Sequence, residues 1–124
     1  MVHGSIVIIL NKEDEVLILK RAPGDYWGAG KWGYPGGKLE CNETAEEAAI
    51  RETKEESNLE VRGLQPILLE LDRPLGMYYT RLYSGDIKVD FEHTDWMWVS
   101  RSEIEKYDLT DNTLELYDWV LKNE

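Results

Sequence analysis

Apolar positions along this chain fall in short runs separated by polar residues or by Gly and Pro, a pattern typical of a domain with several strands. The predicted strands are 2–10, 15–20, 61–71, 77–83 and 96–99. Four polar residues, 11–14, join the first two runs, which are therefore predicted to pair as a hairpin. Pro74 and Gly76 indicate a turn between the third run and the fourth.

Three segments carry the signals of helices. The clearest begins after Thr44, which forms a capping box with Glu47, and ends at Asn58, a residue that tolerates the left-handed conformation. Its predicted apolar stripe consists of Ala45, Ala48, Ala49 and Ile50. A brief helix is predicted at 102–105 and a last one at about 112–121, with Asn112 as a candidate N-cap. Strands and helices in this order predict an α+β fold with a mixed sheet between helices.

Size and charge restrict the function classes. The 124 residues are predicted to form a single domain, 1–124, that is large enough to bury a core. A net charge of −11 argues against a nucleic acid polymer or an anionic membrane as a partner. The apolar run 6–10 is too short for a signal peptide core or a membrane span, and the lone Cys41 permits a reducing compartment. A cytoplasmic location is therefore expected.

The most informative segment runs from Gly37 to Leu59 and contains three clustered carboxylates. Glu52, Glu55 and Glu56 stand at i, i+3 and i+4, so on a helix they share one face, where their repulsion is unfavourable unless a cation relieves it. The turn before the helix contains two glycines and can add the carbonyl of Gly36 to these oxygens. The pattern predicts a site for Mg²⁺, with Mn²⁺ as an alternative, held by Gly36, Glu52, Glu55 and Glu56.

Arg51 lies eight residues after Glu43, about two helical turns, so the two side chains can pair. The whole segment resembles the box of the Nudix hydrolase superfamily, G-x5-E-x7-R-E-U-x-E-E-x-G-U with U an apolar residue. The matching positions are Gly37, Glu43, Arg51, Glu52, Glu55, Glu56 and Leu59. Thr53 replaces an apolar residue of that pattern, and Asn58 replaces a Gly. If the motif positions are independent, the probability that the fixed positions match by chance anywhere in the chain is ~10⁻⁴.

The resemblance implies an α/β/α sandwich with a mixed central sheet and hydrolysis of a nucleoside diphosphate linked to a further group X. Among the box residues, it implies catalytic roles for Arg51, Glu52 and Glu55. The general base is either a box glutamate or a glutamate on a later loop, and the later candidate here is Glu92. Glu92 ranks above Asp95 because it precedes the predicted strand, whereas Asp95 lies almost at its start.

Other residues are candidates for binding the rest of the substrate. Arg21 and Lys38 can reach phosphate oxygens, and the aromatic rings available for stacking are Trp27, Trp32, Tyr78 and Tyr79. Asn112 lies in a segment similar to one in MutT-type enzymes where an Asn reads a purine edge, which competes with its interpretation as an N-cap.

The leading hypothesis is a MutT-type pyrophosphohydrolase that converts a (d)NTP, with 8-oxo-dGTP as an oxidised example, to the monophosphate and pyrophosphate. The second is an ADP-ribose or dinucleotide pyrophosphatase, because Pro74, fifteen residues after Leu59, resembles a position that marks that subgroup. A third, of another class, is a non-catalytic nucleotide-binding sensor. The expected partner is a small nucleotide, and a homodimer is left open.

Overall fold

A computed structural model describes residues 2–24 and 29–124. The strands are β1 (Gly4–Ile9), β2 (Val16–Arg21), β3 (Trp32–Gly33), β4 (Gly36–Lys38), β5 (Glu60–Arg62), β6 (Gln65–Pro66), β7 (Leu75–Thr80), β8 (Leu82–Ser84) and β9 (His93–Val99). The helices are α1 (Ala45–Ser57), α2 (Arg101–Ile104) and α3 (Thr113–Asn123). None of the helices in the described ranges has the length and apolar character needed to cross a membrane.

The strands assemble into mixed and antiparallel sheets. One sheet has the order β4-β1-β7-β6, in which β1 runs parallel to β7 and antiparallel to β4. A second sheet, β3-β2-β9, is antiparallel, and β5 pairs with β8 in a small ribbon. The predicted mixed sheet is therefore present. It includes β4, the strand that leads to the candidate site.

Alternating side chains of β1 divide the core into two layers. Ile8 lies in the larger cluster, which includes residues of α2 and α3, whereas Val7 and Ile9 lie in the smaller one with Ala49 of α1. Helices thus cover both faces of the strands. This arrangement confirms the predicted α+β fold of the α/β/α type.

The predicted hairpin between the first two strands is wrong. A tight turn at Asn11, whose side-chain oxygen accepts hydrogen bonds from the N–H groups of Glu13 and Glu15, joins β1 to β2. The two strands meet only at the bridge between Leu10 and Val16 and then enter different sheets. The reason is that β4 and β7 already pair with both edges of β1.

The predicted strands 61–71 and 77–83 are each divided in the structure. Gly63, in a left-handed conformation, ends β5, and after β6 no strand begins until Leu75. Arg81 separates β7 from β8, and at this break the Thr80 hydroxyl donates to the Arg62 carbonyl and accepts from the Leu82 N–H. The last predicted strand is longer than expected, since β9 begins at His93.

The predicted start and end of α1 are confirmed. Both hydrogen bonds of the Thr44–Glu47 capping box are present, at 3.1 and 2.9 Å, and Asn58 has a left-handed φ of 69°. The predicted apolar stripe is wrong at one position, because Ile50 is 38% exposed. Thr53 faces the sheet instead and is fully buried.

The other two helices differ from the prediction at their first residues. α2 begins at Arg101, one residue earlier than expected. Asn112 does precede α3, but it is left-handed and its side chain makes no cap hydrogen bond. Its amide donates to Glu115 at 2.9 Å instead. Asn112 therefore occupies the N-cap position of α3, as expected, but it lacks the extended dihedrals of an effective N-cap residue, and its side chain does not cap the helix.

Candidate active site

Small residues allow α1 to lie close to the first sheet. Ser5 of β1 stands in register between Gly37 of β4 and Gly76 of β7. A Cβ atom at Gly37 would lie 2.4 Å from a carboxylate oxygen of Glu52, and one at Gly76 would lie 2.6 Å from the Cβ of Ala45. A side chain at Gly76 would push the helix outwards, and one at Gly37 would displace the carboxylate of Glu52. The two glycines therefore fix the position of Glu52 above the sheet.

Arg51 connects the acidic residues of the box to one another. Its guanidinium donates to Glu43 at 2.7 Å, to Glu52 at 2.6 Å and to Glu55 at 2.9 Å. A further hydrogen bond, 3.0 Å long, reaches the backbone carbonyl of Lys38. The Arg51 guanidinium lowers the pKa of Glu43 to about 2. The predicted pair is thus present, and Arg51 also joins α1 to β4.

Glu56 is a buried carboxyl group at the other side of this cluster. Its side chain accepts a 2.8 Å hydrogen bond from the Gly36 N–H, and the residue is 8% exposed. Burial raises the pKa of Glu56 to about 8, with added repulsion from Glu52 and Asp90. Burial also raises the pKa of Glu52, although Arg51 opposes the shift. Both groups would be stabilised in their charged form by a nearby cation.

The donor chemistry fits a hard divalent cation, although the site is not preassembled. Among the described residues, no three Asp, Glu, His or Cys side chains converge on a point that could hold a metal ion. Glu52 and Glu55 instead share the guanidinium of Arg51 as their cation. Two carboxylates that already share one cation, beside a third that is buried, offer the charge and the oxygen donors that Mg²⁺ prefers.

The loop before β9 reaches the same cluster. The Asp90 N–H donates to the Glu56 carbonyl at 3.3 Å, and the Glu92 carbonyl accepts from the Ala22 N–H at 2.9 Å. The negative charge of Glu92 contributes to the raised pKa of Glu52. Glu92 does precede β9, as expected. Asp95 lies inside β9, where its carboxylate accepts from the Trp96 N–H.

Two residues here were missed in the sequence, Asp90 in the loop and His93 at the start of β9. His93 and Asp90 form a side-chain contact of 2.7 Å between Nδ1 and Oδ1. His93 has no ligand spacing to a Cys, so a search for metal motifs passes over it. The useful signal would have been the D-x-x-H spacing that ends on the first residue of a strand.

The remaining candidates do not all face the cluster. Arg21 ends β2 opposite His93, and its charge acts on Glu56. The side chain of Lys38 is exposed at the end of β4. Trp32 is only 6% exposed and makes an edge-to-face contact with Tyr107, so it belongs to the core and offers no free ring face.

The two tyrosines of β7 point to opposite layers. Tyr78 is half-buried against the smaller core cluster, and burial raises its pKa. Tyr79 packs on Trp119 in the larger cluster, with ring centroids 6.2 Å apart. Trp27 lies outside the described residues.

Comparisons with known proteins show the family to which this chain belongs. A family model described as NUDIX domain matches residues 2–120. An ADP-ribose pyrophosphatase of Methanocaldococcus jannaschii is 36% identical over 90 residues, which cover 68% of this chain and 52% of that protein. An 8-oxo-dGTP diphosphatase of Proteus vulgaris is 42% identical over 59 residues, which cover 48% of this chain and 52% of that protein. The chain thus spans about half the length of these curated relatives.

The solved structure of a MutT NUDIX hydrolase from Burkholderia pseudomallei has the same fold. It superposes with a TM-score of 0.83 at 24% identity, over 94% of this chain and 95% of that one. The family match covers nearly the whole chain and includes the helix, the glycines and the carboxylates described above. This chain therefore belongs to the NUDIX family.

Proposed function

We propose that this protein hydrolyses a phosphoanhydride bond in a nucleoside diphosphate linked to a further group X, with Mg²⁺ or Mn²⁺ as its cofactor. The observation that carries the proposal is a group of three glutamates on α1: Glu52 and Glu55 share the guanidinium of Arg51, and Glu56 accepts a hydrogen bond from the Gly36 N–H. A polyanionic substrate needs cations to approach such a surface. The residues that would hold the metal ion are these three glutamates and the Gly36 carbonyl.

Each residue of the cluster has a definite task in this proposal. A bound divalent ion would neutralise the non-bridging phosphate oxygens and lower the pKa of a water molecule. Arg51 holds Glu52 and Glu55 in place through charged hydrogen bonds. Glu92, on the loop before β9, is the candidate that takes the proton from the attacking water, and a box glutamate is the alternative. Lys38 and Arg21 are proposed to contact phosphate oxygens.

The proposed substrate is a (d)NTP, with 8-oxo-dGTP as the oxidised case, cleaved to the monophosphate and pyrophosphate. The Proteus relative, an 8-oxo-dGTP diphosphatase, supports this choice, and Asn112 is the candidate for reading a purine edge. ADP-ribose is the second candidate substrate. The Methanocaldococcus relative, an ADP-ribose pyrophosphatase, supports it together with the position of Pro74.

Product analysis distinguishes these substrates. The protein is incubated with Mg²⁺, and separately with Mn²⁺, and a panel of (d)NTPs, 8-oxo-dGTP, ADP-ribose, dinucleoside polyphosphates and NADH. Pyrophosphate from a nucleotide would support the first substrate, whereas AMP and ribose phosphate from ADP-ribose would support the second. Binding of a nucleotide without any turnover would overturn the hydrolase proposal in favour of a sensor.

Substitution of single carboxylates tests the residues. Glu55→Gln and Glu56→Gln are each expected to lower kcat by about 10²-fold or more, because a neutral amide is a poor ligand for a hard cation. The matched control is Glu60→Gln, an exposed glutamate just after the box, which should keep full activity. Thermal unfolding of each variant separates lost chemistry from lost structure. Full activity in both Glu55→Gln and Glu56→Gln would overturn the assignment.

A further inference from the structure

The loop before β9 carries the most exposed large apolar side chain of the described residues, next to the candidate base. Phe91 is 92% exposed, whereas the side chain of His93 is 7% exposed. Isolated exposed apolar residues are common on protein surfaces. Phe91 differs from these because its neighbour Asp90 donates to the Glu56 carbonyl and the charge of its other neighbour, Glu92, acts on Glu52.

Hydrogen bonds hold this loop on both sides of Phe91. Before it, the Asp90 N–H donates to the Glu56 carbonyl at 3.3 Å. After it, the Glu92 carbonyl accepts from the Ala22 N–H at 2.9 Å. The Asp90–His93 contact of 2.7 Å closes the loop across its base, together with a 3.2 Å backbone bond between the same residues. The exposed ring is therefore presented from a fixed base.

The chemistry of the ring limits what it can bind. A phenyl group cannot pair with phosphate oxygens, and the carboxylate of the adjacent Glu92 repels a bare anion. The flat and uncharged part of a nucleotide is its base, and every base has a face on which an aromatic ring can stack. We propose that Phe91 stacks on the nucleobase of the substrate, and that the Asp90–His93 contact holds the loop so that the Phe91 ring is positioned for stacking.

This inference rests on the proposed function but is tested through binding. The probes are AMP, GMP and 8-oxo-dGMP, since both candidate reactions release a nucleoside monophosphate, and inorganic pyrophosphate, which has no base. Calorimetry in the presence of Mg²⁺ gives a Kd for each probe. Phe91→Ala is expected to raise the Kd of the monophosphate that binds best roughly tenfold, the size of one lost stacking contact. The Kd of pyrophosphate should stay the same. Phe91→Trp should bind as the unaltered protein does.

Further variants test whether the effect is specific to Phe91 and whether the Asp90–His93 contact positions the ring. Leu68→Ala removes another exposed apolar side chain, 76% exposed, and should change neither Kd. His93→Ala should weaken the monophosphate as Phe91→Ala does, whereas His93→Asn, which keeps an N–H near the position of Nδ1, should restore it. A merely structural role of His93 would lower the melting temperature and weaken both probes alike.

The outcomes separate this inference from the proposed function. Unchanged monophosphate binding in Phe91→Ala, or equal weakening of monophosphate and pyrophosphate, would overturn the stacking role. A protein that hydrolyses nothing in the panel, yet binds a monophosphate in a Phe91-dependent way, would overturn the proposed function and support the inference.

Discussion

Helices α1 and α3 cover opposite faces of the same strands with different chemistry. The buried residues of α3 are Thr113, Leu116, Tyr117 and Val120. Those of α1 are Ala48, Ala49, Thr53, Glu56 and Ser57. Large apolar side chains therefore attach α3, whereas α1 approaches through small residues and brings a carboxyl group with it. The difference fits the proposed function, in which α3 contributes stability and α1 carries the candidate site.

Buried polar groups reinforce this contrast. Beside α3, the Tyr34 hydroxyl donates to the Thr113 carbonyl at 2.8 Å, and the Tyr117 hydroxyl donates to the Asp14 carbonyl. On the α1 side, the hydroxyls of Ser5 and Thr53 are buried with no hydrogen-bond partner among the described residues. An unsatisfied buried polar group is destabilising. Both of these unsatisfied hydroxyls lie on the side of the sheet that carries the candidate site.

The largest expected effect is a pH dependence that originates in α1. The folded protein holds the Glu56 proton up to a pKa of about 8, against an ordinary value of 4.5. The folded state therefore binds more protons between these values. The metal-free protein should lose about 1.4 kcal/mol of unfolding free energy per pH unit as the pH rises from 5 to 8.

Urea unfolding at several pH values measures this slope. Glu56→Gln should flatten it, and Mg²⁺ should restore stability at pH 8, because a ligand that binds only the folded state stabilises it. Tyr117 of α3 behaves differently, because burial raises its pKa to about 12 and confines its effect on stability to alkaline pH. If the unfolding free energy depends equally on pH in the unaltered protein and in Glu56→Gln, the pH dependence does not originate in α1 and the contrast with α3 is wrong.

A substitution in α3 should cost stability rather than chemistry. Leu116 is fully buried in the larger cluster, so Leu116→Ala should lower the unfolding free energy by about 2–5 kcal/mol. Ala49→Gly, at a buried position of α1, should cost only about 1 kcal/mol, the difference in helix propensity. Urea unfolding at pH 6 compares the two. A larger loss from Ala49→Gly would mean that α1, not α3, holds the core together.

The sequence predicts α1 better than anything else, for a physical reason. Its capping box, its end at Asn58 and its pair Arg51–Glu43 depend on residues within one or two helical turns. The pairing of β1 depends on β4 and β7, which follow much later in the chain, so a short polar turn indicated the wrong partner. The position of His93 beside the site likewise follows from the path of β9.

The smallest expected effect compares two threonines, one on each helix. Thr53 is fully buried and its hydroxyl has no partner in the described part of the chain, whereas the Thr113 hydroxyl donates to the Thr110 carbonyl at 2.8 Å. Valine has nearly the same shape without the hydroxyl. Thr53→Val should therefore raise the unfolding free energy by about 1 kcal/mol, because an unpaired buried group is removed, and Thr113→Val should lower it by about the same amount.

Opposite signs from the same change would locate the unsatisfied polarity on the α1 side. Thr53 also stands where the family pattern has an apolar residue, so Thr53→Val restores the pattern. Paired urea titrations of both variants, with nucleotide turnover measured alongside, decide the question. A loss of stability in Thr53→Val would mean that its hydroxyl does bind a partner, such as an ordered water molecule. A gain of stability with lower kcat would instead mean that the site uses that hydroxyl, and that the polarity beneath α1 serves its chemistry.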